Sequence, residues 1–279
     1  MLSYRWRQCL SGAFIASFIV VVSACDAGPA EDQQKAEQGA DPVSIPPRLD
    51  SGVEADPMPA FHEIPAGPQR KEAFFNYLAP IVRDINREVE KRREALFALE
   101  EQLESGQSLN QEALNWLGRM TDRYRVDADE PDQQVAALKR RIDIIPVPLA
   151  LAQGALESAW GTSRFARQGN NIFGKWCFTK GCGIVPAQRR ANATHEVASY
   201  DDVADAVRDY IHHLNSHPVY EPLRERRAQA RQAGRSPEGG DLAAGLEKYS
   251  AKGEGYIRLI RRVISANDLA DRDNEKKDA

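Results

Sequence analysis

From position 70 to 104, apolar residues recur at Phe74, Leu78, Ile81, Ile85, Val89, Leu96, Leu99 and Leu103. Steps of three, four and seven keep these positions on one helix face, so the stretch predicts a long amphipathic helix. The opposite face, dense in Arg, Lys and Glu, reads as a solvated surface. A second helix is predicted over Asn110 to Tyr124. A third starts at Pro131, whose fixed φ suits a first helical position, and stops before Pro146. Pro148 opens a fourth, nearly all apolar, expected to end near Trp160-Gly161 because Gly commonly sits just past a helix terminus. Residues 177–200 then turn irregular. Their short β-favouring runs, Gly183-Ile184-Val185 and His195-Glu196-Val197, predict a small hairpin or irregular lobe. Asp201 or Asp202 caps a helix with Val203, Val207, Tyr210 and Leu214 on one face, and further helices are expected near 220–232, 240–248 and 254–266. The pattern is mainly α with a minor β element, without internal repeats. About 200 residues, from Gln69 to Ala270, suffice for one domain or a domain with an accessory lobe.

The N-terminal pattern is different. Arg5 and Arg7 precede an apolar run from Leu10 to Ala24, which predicts a secretory signal peptide over residues 1–24. Its end, Val22-Ser23-Ala24-Cys25, resembles the bacterial lipobox, in which cleavage leaves a lipid-carrying cysteine as the new N-terminus. An uncleaved anchor with Cys25 as an incidental small residue is the alternative. By analogy with proteobacterial lipoproteins, Asp26 beside a lipidated Cys25 would favour the inner membrane, and either reading puts the remainder in the periplasm. Half of the 16 prolines fall between residues 26 and 68, with no aromatic before Phe61, so residues 25–68 read as a disordered tether. Residues 271–279 read as a disordered tail.

Charge and cysteines narrow the classes. A formal net charge of -4 and an exported location disfavour nucleic-acid binding. Cys9 leaves with the signal and Cys25 with the lipid, so Cys177 and Cys182 remain as a pair. The four residues between them do not match the two-residue spacing of redox or zinc motifs, and a local disulfide is expected. Closing so short a loop contributes only about 2 kcal/mol, so its use would be geometric, pinning the loop beside Trp176. His212, His213 and His217 offer an i, i+4 pair without an HExxH spacing, and neither metal nor cofactor is expected. Paired cysteines and the lack of a G-x-S-x-G elbow disfavour a nucleophilic hydrolase.

The chemistry concentrates in residues 150–176, ALAQGALESAWGTSRFARQGNNIFGKW. Glu157 stands in an apolar helical run, where the charged carboxylate is disfavoured and the acid can stay protonated near neutral pH. Acid-catalysed glycoside cleavage needs such a group. The aromatic and amide residues that follow are of the kind that stack on sugar rings and bond N-acetyl groups. Asn170 and Asn171 beside Gly169 equally suit a turn, and Phe173 and Trp176 equally suit a core.

This run resembles the glucosaminidase domain of family 73 glycoside hydrolases. More narrowly, AFFNYLAPIV at 73–82, RRIDIIPVPLALAQ at 140–153, LNSHPVY at 214–220 and LEKYSAKGEGYIRLI at 246–260 resemble the bacterial Bax-type group. The resemblance divides the folded region into a helical accessory part, 69–139, and a catalytic part, 140–270. It implies a lysozyme-like helical body with a small β lobe and a glycan groove between them. It also implies hydrolysis of the β-1,4 bond after N-acetylglucosamine in peptidoglycan, by a monomer acting on glycan strands. Glu157 matches the general acid. Glu196, 39 residues later in the expected hairpin, is the candidate base; its local sequence fits the closing strand instead, where a solvent-exposed Glu is the alternative. Were Glu196 not the base, the substrate's acetamido group could assist. Trp160, Asn170, Asn171, Phe173, Trp176, Tyr200, Tyr249 and Tyr256 are the implied substrate-binding residues. A muramidase or lytic transglycosylase, and a non-catalytic glycan-binding lipoprotein, are the competing readings.

Overall fold

The computed structural model describes residue 45 and residues 52–273 except 191. The signal peptide, Cys25, most of the expected tether and residues 274–279 lie outside the described residues.

The first helix, α1 (Pro68–Glu104), buries the stripe from Phe74 to Leu99. α2 (Gln111–Tyr124) begins at Asn110, whose side chain accepts from the Ala113 amide and satisfies one of the helix's unpaired donors. α3 (Pro131–Arg141) has Pro at its first position, as expected. α4 (Val147–Ser158) is apolar on every side, the pattern of a helix with no solvent face, and every residue from Val147 to Ala155 is buried. It packs against α1 and against α9 (Glu254–Ala266). α5 (Arg164–Gly169) and α6 (Val203–Ser216) follow, the latter capped by Asp202, which accepts from the Asp205 amide. α7 is Glu221–Gln232, and α8 is the short Gly239–Leu242, continued by a single 3₁₀ turn through Gly245. The helix expected over 240–248 is therefore broken, with Gly245 packed directly on the Leu223 backbone.

The β element has three very short antiparallel strands, β1 (Trp176–Cys177), β2 (Gly183–Ile184) and β3 (Glu196–Ala198), in the order β1–β3–β2. Cys177 pairs with Glu196 and Trp176 with Val197. The mainly α architecture with a small β lobe is as expected.

Two boundaries differ from the sequence reading. Residues 52–67 are not a free tether: Phe61 is fully buried, the Val53 carbonyl accepts from Arg208, the Ala55 amide donates to Asp202, and Tyr77 donates to the Asp56 carbonyl. Phe61 joins the core, and Val53, Ala55, Met58 and Ile64 pack against it, so the segment is docked despite its prolines. The C-terminal tail starts later, because a 3₁₀ turn, Leu269–Asp273, buries Leu269 and places Asp273 as acceptor for the Val147 amide. The accessory and catalytic parts share one hydrophobic core, in which α1 packs on α3, α4 and α6.

Candidate active site

Glu157 lies in the last turn of α4, half-buried, at the floor of a groove of about 450 Å³. Burial pushes its carboxyl above the usual range, against the opposing pull of a hydrogen bond from Tyr256 and the charge of Lys252. Tyr256, on α9, donates to Glu157 Oε1 at 2.6 Å. It accepts in turn from Gln153 Nε2 at 3.1 Å, while Tyr210 donates to Gln153 Oε1 at 2.7 Å. Gln153 is wholly buried with both ends of its amide used, as a buried amide requires. Sequence reasoning missed it. The available signal was a polar residue four positions before Glu157 in an apolar run, hence on the same helix face.

Helix α4 ends in an unusual turn. Ala159, Trp160 and Gly161 have φ of 50°, 61° and 74° in succession. Left-handed backbone costs a non-glycine residue about 1–2 kcal/mol, so neighbouring contacts must hold Ala159 and Trp160 there. Ser158 Oγ donates to the Gly154 carbonyl and accepts from the Gly161 amide. The Trp160 ring meets Phe74 and Phe75 edge-on at 6.0 and 5.2 Å, with Lys71 over its face. Trp160 therefore packs on α1 and does not line the groove, contrary to its expected role as a sugar platform.

The asparagines are likewise structural. Asn170 takes the left-handed cap of α5, and its amide donates to the Tyr200 and Asp201 carbonyls. Asn171 is buried, donates to the Lys175 and Ala198 carbonyls, and accepts from the Lys175 amide. Together they fasten the β lobe to the helical body, which leaves Asn171 with no reach to a substrate. Phe173 is buried and stacked on Tyr210 at 3.9 Å, contributing to the groove wall. Gly174, at φ 65°, brings bare backbone to the groove: a Cβ there would lie 3.4 Å from Glu157 Oε2. Oε1 is thus held by Tyr256, and Oε2 lies beside Gly174 at the groove lining. Tyr249 lines it too, stacked on Tyr256 and donating to the Phe173 carbonyl. Tyr200 is drawn elsewhere, donating to Asp209, and does not line the groove.

On the β side, Trp176 is 57 % exposed and Phe178 is 72 % exposed, giving the groove an apolar rim. Trp176 stacks on His195. Lys175, His213 and Tyr220 complete the wall, and burial lowers the His213 imidazole to about 4, so it is neutral. Phe178, Lys175, His213 and Tyr220 were not foreseen; nothing local in sequence marks them as neighbours of Glu157.

Glu196 is not placed as the expected base. Its two carboxylate oxygens accept from the Gly181 amide at 3.1 Å, and Oε2 also accepts from the Gly183 amide at 2.9 Å. These bonds hold its carboxyl below the usual range. It shares a sheet face with Cys177, its register partner, whereas Trp176, one residue earlier, faces the opposite way. Among the described residues lining the groove, Glu157 is the sole carboxylate. Cys177 and Cys182 form the expected disulfide, closing the loop that carries Phe178. Their sulfurs and the Glu196 carboxylate cluster closely, but the sulfurs are bonded to each other and the carboxylate to amides, a poor donor set for a cation.

A partly desolvated acid at the floor of a groove with an aromatic rim suits glycoside hydrolysis. Residues 132–269 match the glucosaminidase family, described as mannosyl-glycoprotein endo-beta-N-acetylglucosaminidase. Protein bax of Escherichia coli (strain K12) is 29% identical over 219 residues, which make up 78% of this chain and 77% of that protein. The catalytic domain of the autolysin Auto from Listeria monocytogenes aligns with a TM-score of 0.41 at 15% identity, over 76% of this chain and 93% of that one. The chain is a glycoside hydrolase, and the glucosaminidase-family match falls on residues 132–269. The match begins within α3, so α1, α2 and the segment before them lie outside it.

Proposed function

We propose that the chain hydrolyses peptidoglycan glycan strands, cleaving the β-1,4 bond after N-acetylglucosamine with Glu157 as general acid. The observation that carries this is the raised Glu157 carboxyl, half-buried in a groove on a glucosaminidase-family domain. Tyr256 occupies Oε1 as donor, so the acidic proton belongs on Oε2, toward the groove. That proton passes to the glycosidic oxygen. The C1–O bond breaks, its electron pair goes to oxygen, and the leaving sugar departs as a neutral alcohol. With no second carboxylate among the described lining residues, the sugar's acetamido oxygen closes on C1 to give an oxazolinium ring. Glu157, now a carboxylate, takes a proton from water as that water adds to C1. The ring reopens, one water is consumed, and the anomeric configuration is retained.

Digestion of purified peptidoglycan tests this reading. Glu157→Gln should lower turnover by about 10²–10⁴, and the wild-type fragments should carry N-acetylglucosamine reducing ends by mass spectrometry. An active Glu157→Gln protein removes the acid. Muramic or anhydromuramic ends assign another bond, and an inverted anomer in NMR excludes acetamido assistance.

The location proposed with this function is the periplasmic side of the inner membrane, through lipid on Cys25, with the enzyme acting as a monomer. Palmitate labelling that persists in Cys25→Ala would overturn the anchor.

A further inference from the structure

We propose that Phe61, from the segment preceding the first helix, is a positioning residue that holds Glu157 in place through Gly161. The inference rests on Glu157 being the acid, and it concerns a part of the chain outside the glucosaminidase match.

Phe61 is fully buried, with ring contacts to Phe74 at 5.6 Å and Tyr77 at 5.9 Å. Its third neighbour is the backbone of Gly161. A Cβ at Gly161 would lie 2.4 Å from Phe61 Cδ2, so the ring rests where any larger residue would place its side chain. Gly161 closes the left-handed run that begins two residues after Glu157. Strained backbone of this kind persists only where its surroundings fix it. Trp160 is fixed from α1, and the Gly161 amide is held by Ser158 Oγ. Phe61 supplies the remaining apolar contact, on the glycine itself.

Phe61 is itself held at several points. Arg70 donates to the Ile64 carbonyl just after it, and before it Asp56 accepts from Tyr77 while Ala55 donates to Asp202, the cap of α6. The segment thus straps α1, α6 and the turn after Glu157 together. Without the ring, a void opens under Gly161, the turn can relax, and water gains access to the end of α4. Glu157 then loses both its fixed position and part of its desolvation.

The test compares Phe61→Ala and Phe61→Leu in the full chain, with melting temperature, kcat, KM and the pH dependence of kcat on purified peptidoglycan. Phe61→Ala should lower kcat about tenfold or more with KM little changed, since small misplacements of a catalytic group are costly. The alkaline limb of its kcat profile should also move to lower pH, because added hydration lets Glu157 ionise more readily. Phe61→Leu, which keeps most of the apolar volume, should recover both and supplies the reading where the alanine variant folds poorly. Leu99→Ala is the control for lost stability alone. Leu99 is fully buried and lies about 38 Å along α1 from Phe74, the neighbour of Phe61, at 1.5 Å per residue, and its substitution should lower melting temperature with the limb unmoved. A folded Phe61 variant with wild-type kcat and an unmoved limb overturns the proposal, as does a limb that moves equally in Leu99→Ala. Full activity in Glu157→Gln would instead overturn the assignment of the acid, so the two failures are distinguishable.

Discussion

The two sides of the groove are built on opposite principles. On the helical side, Glu157 is fixed by a buried chain of polar groups, Tyr210 to Gln153 to Tyr256, each donor matched to an acceptor. On the β side, three strands of two or three residues carry exposed Trp176 and Phe178, and local devices hold them: a disulfide and a carboxylate gripping two glycine amides. The difference shows in two glutamates. Desolvation raises the carboxyl of Glu157, whereas backbone donors lower that of Glu196. Carboxyls pushed apart in this way often form an acid–base pair. Here placement decides otherwise, because the donors that lower Glu196 are the ones that occupy its oxygens. Chemistry therefore belongs to the helical side, and substrate contact to the β side.

That division predicts different kinetic signatures. The largest effect belongs to Glu157→Gln, in kcat. The same substitution should stabilise the fold at neutral pH, since a carboxyl raised by burial is easiest to accommodate when protonated, and that ease is lost as pH rises through its folded value. A melting temperature that falls in Glu157→Gln at neutral pH would contradict the desolvated acid. Next comes Tyr256→Phe. It removes a hydrogen bond that favours the ionised carboxylate and leaves Gln153 short of a partner. We expect kcat to fall about tenfold, the worth of a hydrogen bond to a charged group near 1.5 kcal/mol. The alkaline limb should move to higher pH, opposite in direction to the Phe61→Ala shift; a downward shift would show that Tyr256 does not act on the carboxyl directly. On the β side, Trp176→Ala should raise KM several-fold with kcat nearly unchanged, given about 1 kcal/mol for an aromatic contact. A fall confined to kcat would transfer Trp176 to the chemical step.

Much of this division is unreadable in the sequence, for an identifiable reason. The helices were legible because each depends on its own spacing and caps, from the α1 stripe to Asp202. Glu157 was legible because a charge in an apolar run is anomalous locally. The roles inside ESAWG and NNIFG were not. Asn171 has the right chemistry for an acetamido group, but only the return of the chain at Ala198 shows where its amide is used. Trp160 has the right shape for a sugar, and α1, some eighty residues earlier, claims it. Composition made a tether of residues 52–67, where a single aromatic found a glycine about a hundred residues away. In each case a contact distant in sequence outweighed a sound local preference.

The smallest effects test whether Glu196 is the clamp that its contacts describe. A catalytic base would lose kcat by orders of magnitude in Glu196→Gln. A clamp should not, because the amide oxygen still accepts from Gly181 or Gly183, and only KM should rise, by about twofold, with a larger rise in Glu196→Ala. pH separates the two roles again. A carboxyl lowered in the folded state stabilises above its unfolded value, and that contribution is lost as pH falls through the folded one. The rim should therefore loosen only in acid, seen as a rise in KM that Glu196→Gln abolishes. Cys177→Ala/Cys182→Ala removes the neighbouring restraint, worth about 2 kcal/mol for so short a loop, and should make KM more sensitive to Glu196→Gln than it is in the disulfide-bonded protein. The two restraints close the same loop, so their effects on KM should be non-additive while kcat stays level. Strict additivity would mean that Phe178 is held by contacts other than these. A collapse of kcat in Glu196→Gln alone would return the residue to the chemistry.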